Sequence, residues 1–549
     1  MSGRSVDVAG SSRAKRLLGV RHVLRSSLAR VISGVGLLCL SSTATVGSEL
    51  GIHFSSANPQ VTLTLTGGTG RWHRIEASAN LIDWSALTCL FQTNPASVWI
   101  DAAVTNPPRR FYRSLQLTPL DLYVAAPDTN YNYTLLNTLP GTGHTTFILE
   151  LVSQAWLTTN EVNRTLWKHW MIIVQPSGAT NSRALLYISS GSNTGTTPPT
   201  SADANLRQLA LDTGTVVTEL RMIPNQPLRF AGETNSRSED ALIAYTWDQF
   251  LRTGDERWPA RLPMTKAAVR ALDAVTAFCG SPPGGGLTVD QFVVAGASKR
   301  GWTTWTTAVV DPRVVAIIPI VIDLLNLEPS FAHHYSAYGY WSPAIQDYVD
   351  MHIPDWFGTP QFRALLEIED PYEYRQRLIL PKFLINAAGD EFFLPDSAQF
   401  YFHDLPGVKY LRYVPNASHS LSGSDAWVTV KACYQAVLSA VALPPLSWTL
   451  ESSNTLRVVT GDLPTDVRLW QATNPNARDF RLATLGAQWQ SSALTSQGGG
   501  VYVATVPVPP QGWRAFFVEL TYARDGLAPL KFTTQVYVVP DTLPYHYPP

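Results

Sequence analysis

The sequence predicts a doubly wound, mostly parallel α/β sheet, flanked by a small N-terminal β module and a C-terminal β-sandwich. Three observations support this prediction. Residues 117–445 alternate short, wholly apolar runs with helical stretches, a pattern typical of parallel sheets covered on both faces. Residues 48–116 contain alternating apolar and polar runs separated by glycine turns. After Pro444-Pro445 the helical pattern stops, and residues 446–549 read as short strands joined by turns.

Length and composition exclude several classes of protein. The chain has 549 residues, which is too long for one average domain. Its apolar fraction of 45% and its 17 tryptophans indicate a globular protein. The net charge is −1, and no basic stripe follows the N-terminal region. We therefore do not expect nucleic acid as a partner.

The first 47 residues resemble a secretory signal peptide. Seven Lys and Arg residues precede the apolar run Val31–Leu40, and the small residues Ser42-Thr43-Ala44 follow it. We expect cleavage near Ala44 or Gly47, and an exported protein that is periplasmic or extracellular. The run is too short to span a bilayer comfortably, so we expect no stable membrane span after removal of the signal. An uncleaved anchor or an over-predicted start is the alternative.

Short runs with strand or helix patterns can be located along the rest of the chain. In the N-terminal module, Val61–Leu65 alternates, glycines turn the chain, and Trp72–Ala77 resumes the pattern. The strand candidates of the central domain are Thr146–Leu151, Trp167–Val174, Ala184–Ile188, Val216–Arg221, Phe292–Gly296, Val315–Ile322, Lys382–Asn386 and Lys409–Val414. Its helix candidates are Ala241–Arg252, Met264–Phe278, Gly301–Val310 and Ala426–Val441. In the C-terminal part the strand candidates are Leu456–Val459, Val467–Trp470, Val501–Val506, Ala515–Tyr522 and Lys531–Val538.

The stretch Gln291–Pro312 has the sequence pattern of a nucleophile elbow. An apolar strand ends at Gly296-Ala297-Ser298, and a helical segment begins directly after it. Such a turn holds the serine oxygen clear of the sheet, next to a helix N-terminus that can stabilise an oxyanion. One feature departs from the G-x-S-x-G pattern, because the second glycine, Gly301, comes one place late. An ordinary turn between strand and helix with an incidental serine is the alternative.

An acid and a base follow Ser298 in the order that doubly wound hydrolases use. Asp390 comes just past the strand Lys382–Asn386, and His419 lies in the loop after the next strand. Carboxyl ends of parallel strands meet at one edge of the sheet, so we predict a Ser298–His419–Asp390 catalytic triad.

Other residues compete for these roles. Asp323 ends another apolar run and is a rival acid, ranked second because Asp390 lies on the strand before the histidine loop. His333 and His334 are rival bases, but they precede Asp390 in an aromatic-rich insertion that reads better as a lid or pocket wall. The aromatic residues of and after this insertion could line a substrate cleft or belong to the core: Phe331, Tyr335, Tyr338, Tyr340, Trp341, Trp356 and Phe357.

We expect backbone N–H groups to form the oxyanion hole. One is that of Lys299, directly after the nucleophile, and the second comes from Gly191 or Ser192, after an early strand. An ordinary Gly/Ser turn is the alternative for the second group. The chain has four cysteines and no C-x-x-C pair or Cys/His cluster, so we expect no metal and no cofactor. A Cys279–Cys433 bridge stays open.

Residues from about Asn132 onward resemble the PhoPQ-activated pathogenicity-related protein family. The stretches that match, in chain order, are Trp167–Trp170, Pro224–Pro227, Arg237–Trp247, Ala295–Trp305, Asp311–Asp323, Asn386–Ser397, Val414–Leu421 and Leu469–Arg481. The resemblance covers about residues 132–540 and implies an exported protein with an α/β-hydrolase-like core. Gly301 belongs to the family pattern. The N-terminal β module is an addition to it.

These observations predict an exported serine hydrolase that acts on an ester or amide, with a small-molecule, peptide or sugar-ester substrate. Two other hypotheses stay open. A non-catalytic secreted binding or signalling protein can use a hydrolase scaffold, because fold does not determine function. A carbohydrate esterase is suggested by the appended β modules.

Overall fold

The structure is a computed structural model that describes residues 36–39, 49–55, 60–67, 69–81, 84–101, 109–439 and 441–548. The chain divides into two compact units, Met1–Gln116 and Leu117–Pro549. Apart from one short strand, the predicted signal peptide lies outside the described residues.

The first unit contains two small sheets. Its strands are β1 (Gly36–Cys39), β2 (Glu49–Ser55), β3 (Gln60–Thr66), β4 (Arg71–Ser78), β5 (Ser85–Gln92), β6 (Ala96–Asp101) and β7 (Arg109–Leu117). One sheet has the order β2-β3-β6 and the other β1-β7-β4-β5. Leu63 from one sheet and Ile75 and Tyr112 from the other are almost wholly buried in one shared core. The alternating pattern of this region therefore folds as a small β module.

The second unit is built around one large mixed sheet. Its first nine strands are β8 (Asn132–Gly141), β9 (His144–Ala155), β10 (Leu166–Pro176), β11 (Arg183–Ile188), β12 (Val217–Leu220), β13 (Gln291–Ala297), β14 (Val314–Ile320), β15 (Lys382–Ala387) and β16 (Lys409–Val414). Its helices are α1 (Pro119–Ala125), α2 (Ala204–Thr213), α3 (Glu239–Thr253), α4 (Arg261–Gly280), α5 (Lys299–Val310), α6 (Leu327–Tyr338), α7 (Gln346–Asp350), α8 (Pro360–Glu369), α9 (Ala426–Ser439) and α10 (Leu482–Leu485).

Six neighbouring strands of this sheet run parallel, in the order β12-β11-β13-β14-β15-β16. Every residue of β12 and β15 is buried, as expected for strands covered on both faces. Alternate residues of β13 enter two separate cores, Val294 on one face and Val293 on the other. Cys279 lies in the first core and Cys433 in the second, and both thiols are free. The sheet separates them.

The edges of the sheet differ from the prediction. Strands β8, β9 and β10 add to one side in antiparallel orientation.

The C-terminal strands are β17 (Leu446–Ser452), β18 (Thr455–Thr460), β19 (Asp466–Asn474), β20 (Gln490–Ala493), β21 (Val501–Thr505), β22 (Trp513–Tyr522), β23 (Leu530–Thr533) and β24 (Tyr537–Val539).

The predicted C-terminal β-sandwich is only partly correct. Strands β17, β18 and β21 form a small sheet of their own. Strand β23 instead pairs antiparallel with β16, and β22, β19, β20 and β24 continue the large sheet from there. The physical reason is that β16 would otherwise leave a row of unpaired backbone groups at the edge of the sheet.

Two kinds of feature are absent from the described residues. They contain no helix of sufficient length and apolarity to cross a membrane. Within the same part of the chain, no group of three or more His, Cys, Asp or Glu side chains is arranged to hold a metal ion.

Candidate active site

Ser298 occupies a strained turn between β13 and α5. Its backbone angles are φ 56° and ψ −128°, outside the regions that non-glycine residues usually adopt. Its N–H donates to the carbonyl of Ile320 on the neighbouring strand at 2.8 Å, which holds the turn against the sheet. Its side chain makes no capping bond to α5. This backbone geometry is the one expected of a nucleophile elbow, and Ser298 lines a cleft.

Two glycines allow this turn to form. A Cβ on Gly296 would lie 2.8 Å from the carbonyl oxygen of Arg300. A Cβ on Gly301 would lie 2.9 Å from the carbonyl oxygen of Gly296 and 3.0 Å from that of Ile320. The late glycine is therefore needed where the first turn of α5 crosses the ends of β13 and β14.

Asp390 and His419 form a directed pair at the same edge of the sheet. Asp390 follows β15, His419 follows β16, and the imidazole Nδ1 lies 2.8 and 3.0 Å from the two carboxylate oxygens. The backbone N–H of Phe392 also donates to this carboxylate, at 2.8 Å. This arrangement orients the ring with Nε2 pointing away from Asp390.

The other ring nitrogen is available for chemistry. Nε2 of His419 is buried and has no hydrogen-bond partner among the described residues. A buried polar atom without a partner is uncommon and needs an explanation. Burial raises the pKa of Asp390 above its ordinary value, whereas His419 and the Phe392 N–H act in the opposite direction.

Lys299 and Arg300, the two residues after Ser298, direct their side chains to an acidic pair. The Lys299 Nζ lies 2.9 Å from Glu239 and 3.0 Å from Asp240, and Arg300 also pairs with Glu239. Burial alone would raise the pKa of Glu239, but the hydrogen bond and charge of Arg300, together with Lys299, lower it to about 2. The two cations are therefore neutralised in place.

A narrow cleft opens at Ser298. Most of its wall is aromatic or aliphatic, and Asp240, Lys299 and Tyr348 supply polar groups. Phe392 belongs to this wall, and its ring centroid lies 4.3 Å from that of His419. Phe392 is therefore shared by the cleft wall and the surroundings of the imidazole, whereas His419 Nε2 makes no hydrogen bond to Ser298.

The rival residues have other partners. Asp323 accepts hydrogen bonds from Tyr401 and Tyr413, each at 2.5 Å, and is not joined to His419. His333 bonds to Asp396 at 3.0 Å, and Asp396 also accepts a bond from Arg478. These two groups are buried structural clusters.

His334, the second rival base, lines a smaller cavity next to the cleft. Of the aromatic residues in the predicted pocket wall, Phe331 lines the cleft. Trp341 and Phe357 pack instead against Tyr547 of the C-terminal segment.

Gly191 and Ser192 follow β11, the immediate neighbour of β13, so they lie at the edge of the sheet where Ser298 also lies. Gly191 has φ 151°, and an added Cβ would lie 3.3 Å from the Met222 nitrogen. The N–H of Lys299 is in the first turn of α5, where no intrahelical acceptor exists. The oxyanion role of these three residues stays a prediction.

Sequence reasoning missed the partners of the two cations. A local ion pair or helix cap is the default expectation for Glu239 and Asp240 at the start of a helix, whereas in the structure they bind Lys299 and Arg300. In the sequence, the charged run Arg237–Asp240 was the only indication of this contact. The contact could not be predicted because its partners lie about 60 residues apart in the chain.

Comparisons with known proteins support a family relationship. The family model described as PhoPQ-activated pathogenicity-related protein matches residues 120–481. Autocrine proliferation repressor protein A of Dictyostelium discoideum is 41% identical over 460 residues, which are 79% of this chain and 92% of that protein.

Solved structures resemble the chain more distantly. Acetyl xylan esterase 1 from Thermoanaerobacterium sp. JW/SL YS485 is 13% identical, with a TM-score of 0.39 over 55% of this chain and 86% of the esterase. An acylaminoacyl peptidase from Pyrococcus horikoshii is 11% identical, with a TM-score of 0.34 over 72% of this chain and 56% of the peptidase.

Proposed function

This chain belongs to the PhoPQ-activated pathogenicity-related protein family, and we propose that it is an exported serine hydrolase that cleaves an ester or amide bond. The main support is the pairing of Asp390 with His419, which leaves the buried Nε2 without a partner at the edge of the sheet where Ser298 occupies its strained turn. Export rests on the charged and apolar pattern of the first 47 residues.

The reaction would follow the sequence of a serine acyl transfer. His419 Nε2 takes the proton of the Ser298 hydroxyl as its oxygen attacks the substrate carbonyl, and Asp390 stabilises the imidazolium. The Lys299 N–H, with that of Gly191 or Ser192, stabilises the oxyanion. His419 then gives its proton to the leaving alcohol or amine, which departs. Water, deprotonated by the same nitrogen, cleaves the acyl-enzyme and restores Ser298.

A fluorophosphonate probe tests this proposal. We expect covalent labelling of the protein at Ser298, and loss of labelling in Ser298→Ala, because the phosphonyl group reacts only with an activated serine oxygen. Labelling is read by fluorescence on a gel and located by peptide mass spectrometry. The matched control is Ser452→Ala, an exposed serine of β17, which should label as the wild type does. Correctly folded wild-type protein that does not label would refute the proposal.

A second candidate function is suggested by the relative from Dictyostelium, whose name describes an autocrine proliferation repressor. This chain would then act as a secreted signalling protein on a hydrolase scaffold. The two candidates differ in one variant: a non-catalytic signal would keep its effect on cell proliferation in Ser298→Ala, whereas a signal that depends on hydrolysis would lose it. A panel of alkyl, peptide and sugar esters would separate a general hydrolase from a carbohydrate esterase.

A further inference from the structure

One side of the N-terminal module carries aromatic side chains that do not belong to its core. Residues of β4 alternate: Ile75 and Ala77 enter the core shared by the two sheets, whereas Trp72 lies on the opposite side. Trp72 pairs with Phe91 across β4 and β5, and the two ring centroids lie 5.3 Å apart. The two residues are 39% and 45% exposed. They form an exposed apolar platform, a feature that often marks a binding surface.

A network of charged side chains lies beside this platform. The Glu76 carboxylate accepts hydrogen bonds from the Nε atoms of Arg74 and Arg113, at 2.7 and 2.6 Å. Arg74 is two residues from Trp72 on β4, so both side chains lie on the same side of the sheet. The Arg113 guanidinium also stacks on the ring of Trp84, with its carbon 4.3 Å from the ring centroid. The platform, the network and the Trp84 ring together form what we call the outer face of the module.

The two guanidinium groups are held in place and are still accessible. The side chains of Arg74 and Arg113 are 34% and 36% exposed, whereas that of Glu76 is 5% exposed. The described residues bond each guanidinium through its Nε, which leaves two terminal nitrogens for a ligand. Two positive charges share one carboxylate, so the network carries one positive charge in excess. Because a guanidinium binds a carboxylate through two parallel hydrogen bonds, the outer face is complementary to a ligand that bears carboxylates.

The aromatic rings indicate that this ligand also contains sugar rings. A pyranose has apolar C–H groups on its faces and hydroxyl groups around its rim. Its face can therefore stack on an indole or phenyl ring while its rim forms hydrogen bonds to side chains next to that ring. A carboxylate without such a ring would satisfy the guanidinium groups and leave the platform uncovered. A uronic acid, which carries one carboxylate on each pyranose ring, matches both parts of the outer face.

The length of the outer face indicates a polymer. The register of β4 and β5 pairs Trp72 with Phe91 and Ala77 with Ser85, and Trp84 directly precedes Ser85. The platform and Trp84 therefore lie toward opposite ends of the strand pair. Five residues of a β-strand span roughly 16 Å, which is longer than one sugar ring. A chain of several sugar units is needed to cover both aromatic positions.

We propose that the outer face of the N-terminal module binds an acidic polysaccharide built from uronic acid units. Its sugar rings stack on the platform and on Trp84, and its carboxylates bind Arg74 and Arg113. Binding keeps the rest of the chain at the polymer. This inference goes beyond the proposed hydrolase function and does not depend on Ser298.

Polygalacturonate and its methyl ester test the proposal, because the two polymers have the same sugar and linkage and differ in charge. The full chain carrying Ser298→Ala is titrated with each polymer, so that no ester is consumed. We expect polygalacturonate to bind about tenfold more tightly than the ester, as charge-assisted hydrogen bonds allow. Equal binding of the two polymers would overturn the proposal.

Polyglutamate separates sugar recognition from charge attraction, because it has carboxylates and no sugar rings. It should bind about tenfold more weakly than polygalacturonate, since it cannot stack on the aromatic rings in the same way. Polyglutamate that binds as tightly as polygalacturonate would show that charge alone attracts the polymer, and this result would also overturn the proposal.

Cys89 reports where the polymer binds. It pairs with Arg74 across the two strands and is exposed, whereas Cys279 and Cys433 are buried. Cross-strand partners lie on the same side of a sheet, so bound polygalacturonate should slow the alkylation of Cys89 by iodoacetamide severalfold. Peptide mass spectrometry measures the rate at this cysteine. A rate that does not change at saturating polymer would place the binding elsewhere and contradict the proposal.

Variants of exposed side chains distinguish the two parts of the outer face. Trp72→Ala should weaken the binding of polygalacturonate about tenfold, because one stacking position is lost. Arg74→Gln should reduce the preference for polygalacturonate over its methyl ester. Ile100→Ala, a change of a 48% exposed residue on β6 of the other sheet, should keep the wild-type affinity. Wild-type binding in both Trp72→Ala and Arg74→Gln would overturn the proposal.

Discussion

At the scale of single residues, the turn at Ser298 depends on two glycines, Gly296 and Gly301, whose lack of a side chain lets the backbone segments approach closely. Ser298 has a left-handed φ of 56°, which costs on the order of 1–3 kcal/mol and persists only where neighbouring contacts impose it. The contacts are backbone ones: Ile320 accepts from the Ser298 N–H, and the carbonyls of Gly296 and Ile320 crowd the α-carbon of Gly301. Arg300 can replace the usual second glycine because its side chain turns away to Glu239 and its Nε donates to Ile223.

Substitution of Gly301 by Ala should destabilise the protein and reduce probe labelling at Ser298. The added methyl would lie 2.9–3.0 Å from two carbonyl oxygens and the Ile322 side chain, so α5 must shift. Overpacking of this kind typically costs about 1–3 kcal/mol of unfolding free energy. Denaturant titration measures the loss. Gly280→Ala is the control, because a Cβ there meets nothing within 4 Å, and it should change the stability by less than about 0.5 kcal/mol.

At the scale of elements, the strand ends position the site and the C-terminal strands complete the sheet that carries it. Ser298, Asp390 and His419 follow β13, β15 and β16, which are parallel. Strand β16, which leads into the His419 loop, borders β23 from the C-terminal part. Tyr410 of β16 also stacks on Phe532 of β23, with centroids 4.1 Å apart. The C-terminal strands therefore support the position of the proposed catalytic base.

A chain that stops after Pro445 should be insoluble or unfolded. It would lose the partner of β16 and the buried side chains of Phe516, Val518 and Leu520, and it would expose apolar surface and a sheet edge. The soluble fraction and thermal unfolding report the result. In contrast, a chain that lacks residues 1–116, a separate compact unit, should stay soluble with a similar unfolding midpoint. A folded protein ending at Pro445 would show that the two parts are independent domains.

At the scale of the whole molecule, buried carboxyls couple stability to pH. Asp323 is 2% exposed, and burial raises its pKa to about 7, against the opposing hydrogen bonds of Tyr401 and Tyr413. Burial likewise raises the pKa of Asp370 to about 7. Between about pH 4 and pH 7 these groups bind more protons in the folded state than in the unfolded state. The free energy of unfolding contributed by them is therefore present at low pH and lost as the pH rises through about 7.

Substitution of Asp323 by Asn should flatten this dependence. The wild-type protein should lose unfolding free energy between pH 5 and pH 8, and the variant should lose less, because the amide does not titrate and Asp370 still does. Denaturant titrations at about pH 5 and pH 8 give the slope for each protein. Asp525→Asn removes an exposed carboxyl and should keep the wild-type slope. A slope that is the same in all three proteins would contradict the raised pKa of Asp323.

The amino-acid sequence by itself determined the features that depend on local order. Apolar runs between helical stretches predicted the parallel strands, because strands covered on both faces need apolar residues at every position. The expected positions of Ser298, Asp390 and His419 followed from the strand ends, and the structure joins Asp390 to His419. The resemblance to the family, confirmed by the match over residues 120–481, came from long local stretches of the same kind.

Only the tertiary structure decided what depends on contacts between distant residues. The C-terminal strands look the same in sequence whether they form a separate sandwich or extend a sheet, and the free edge of β16 determined which. The pairing of Lys299 with Glu239 and Asp240 joins segments about 60 residues apart, and so does the smaller cavity lined by His334 and Ser397. Hydrogen bonds, ion pairs and cavities depend on distance in space, which the order of residues along the chain does not specify.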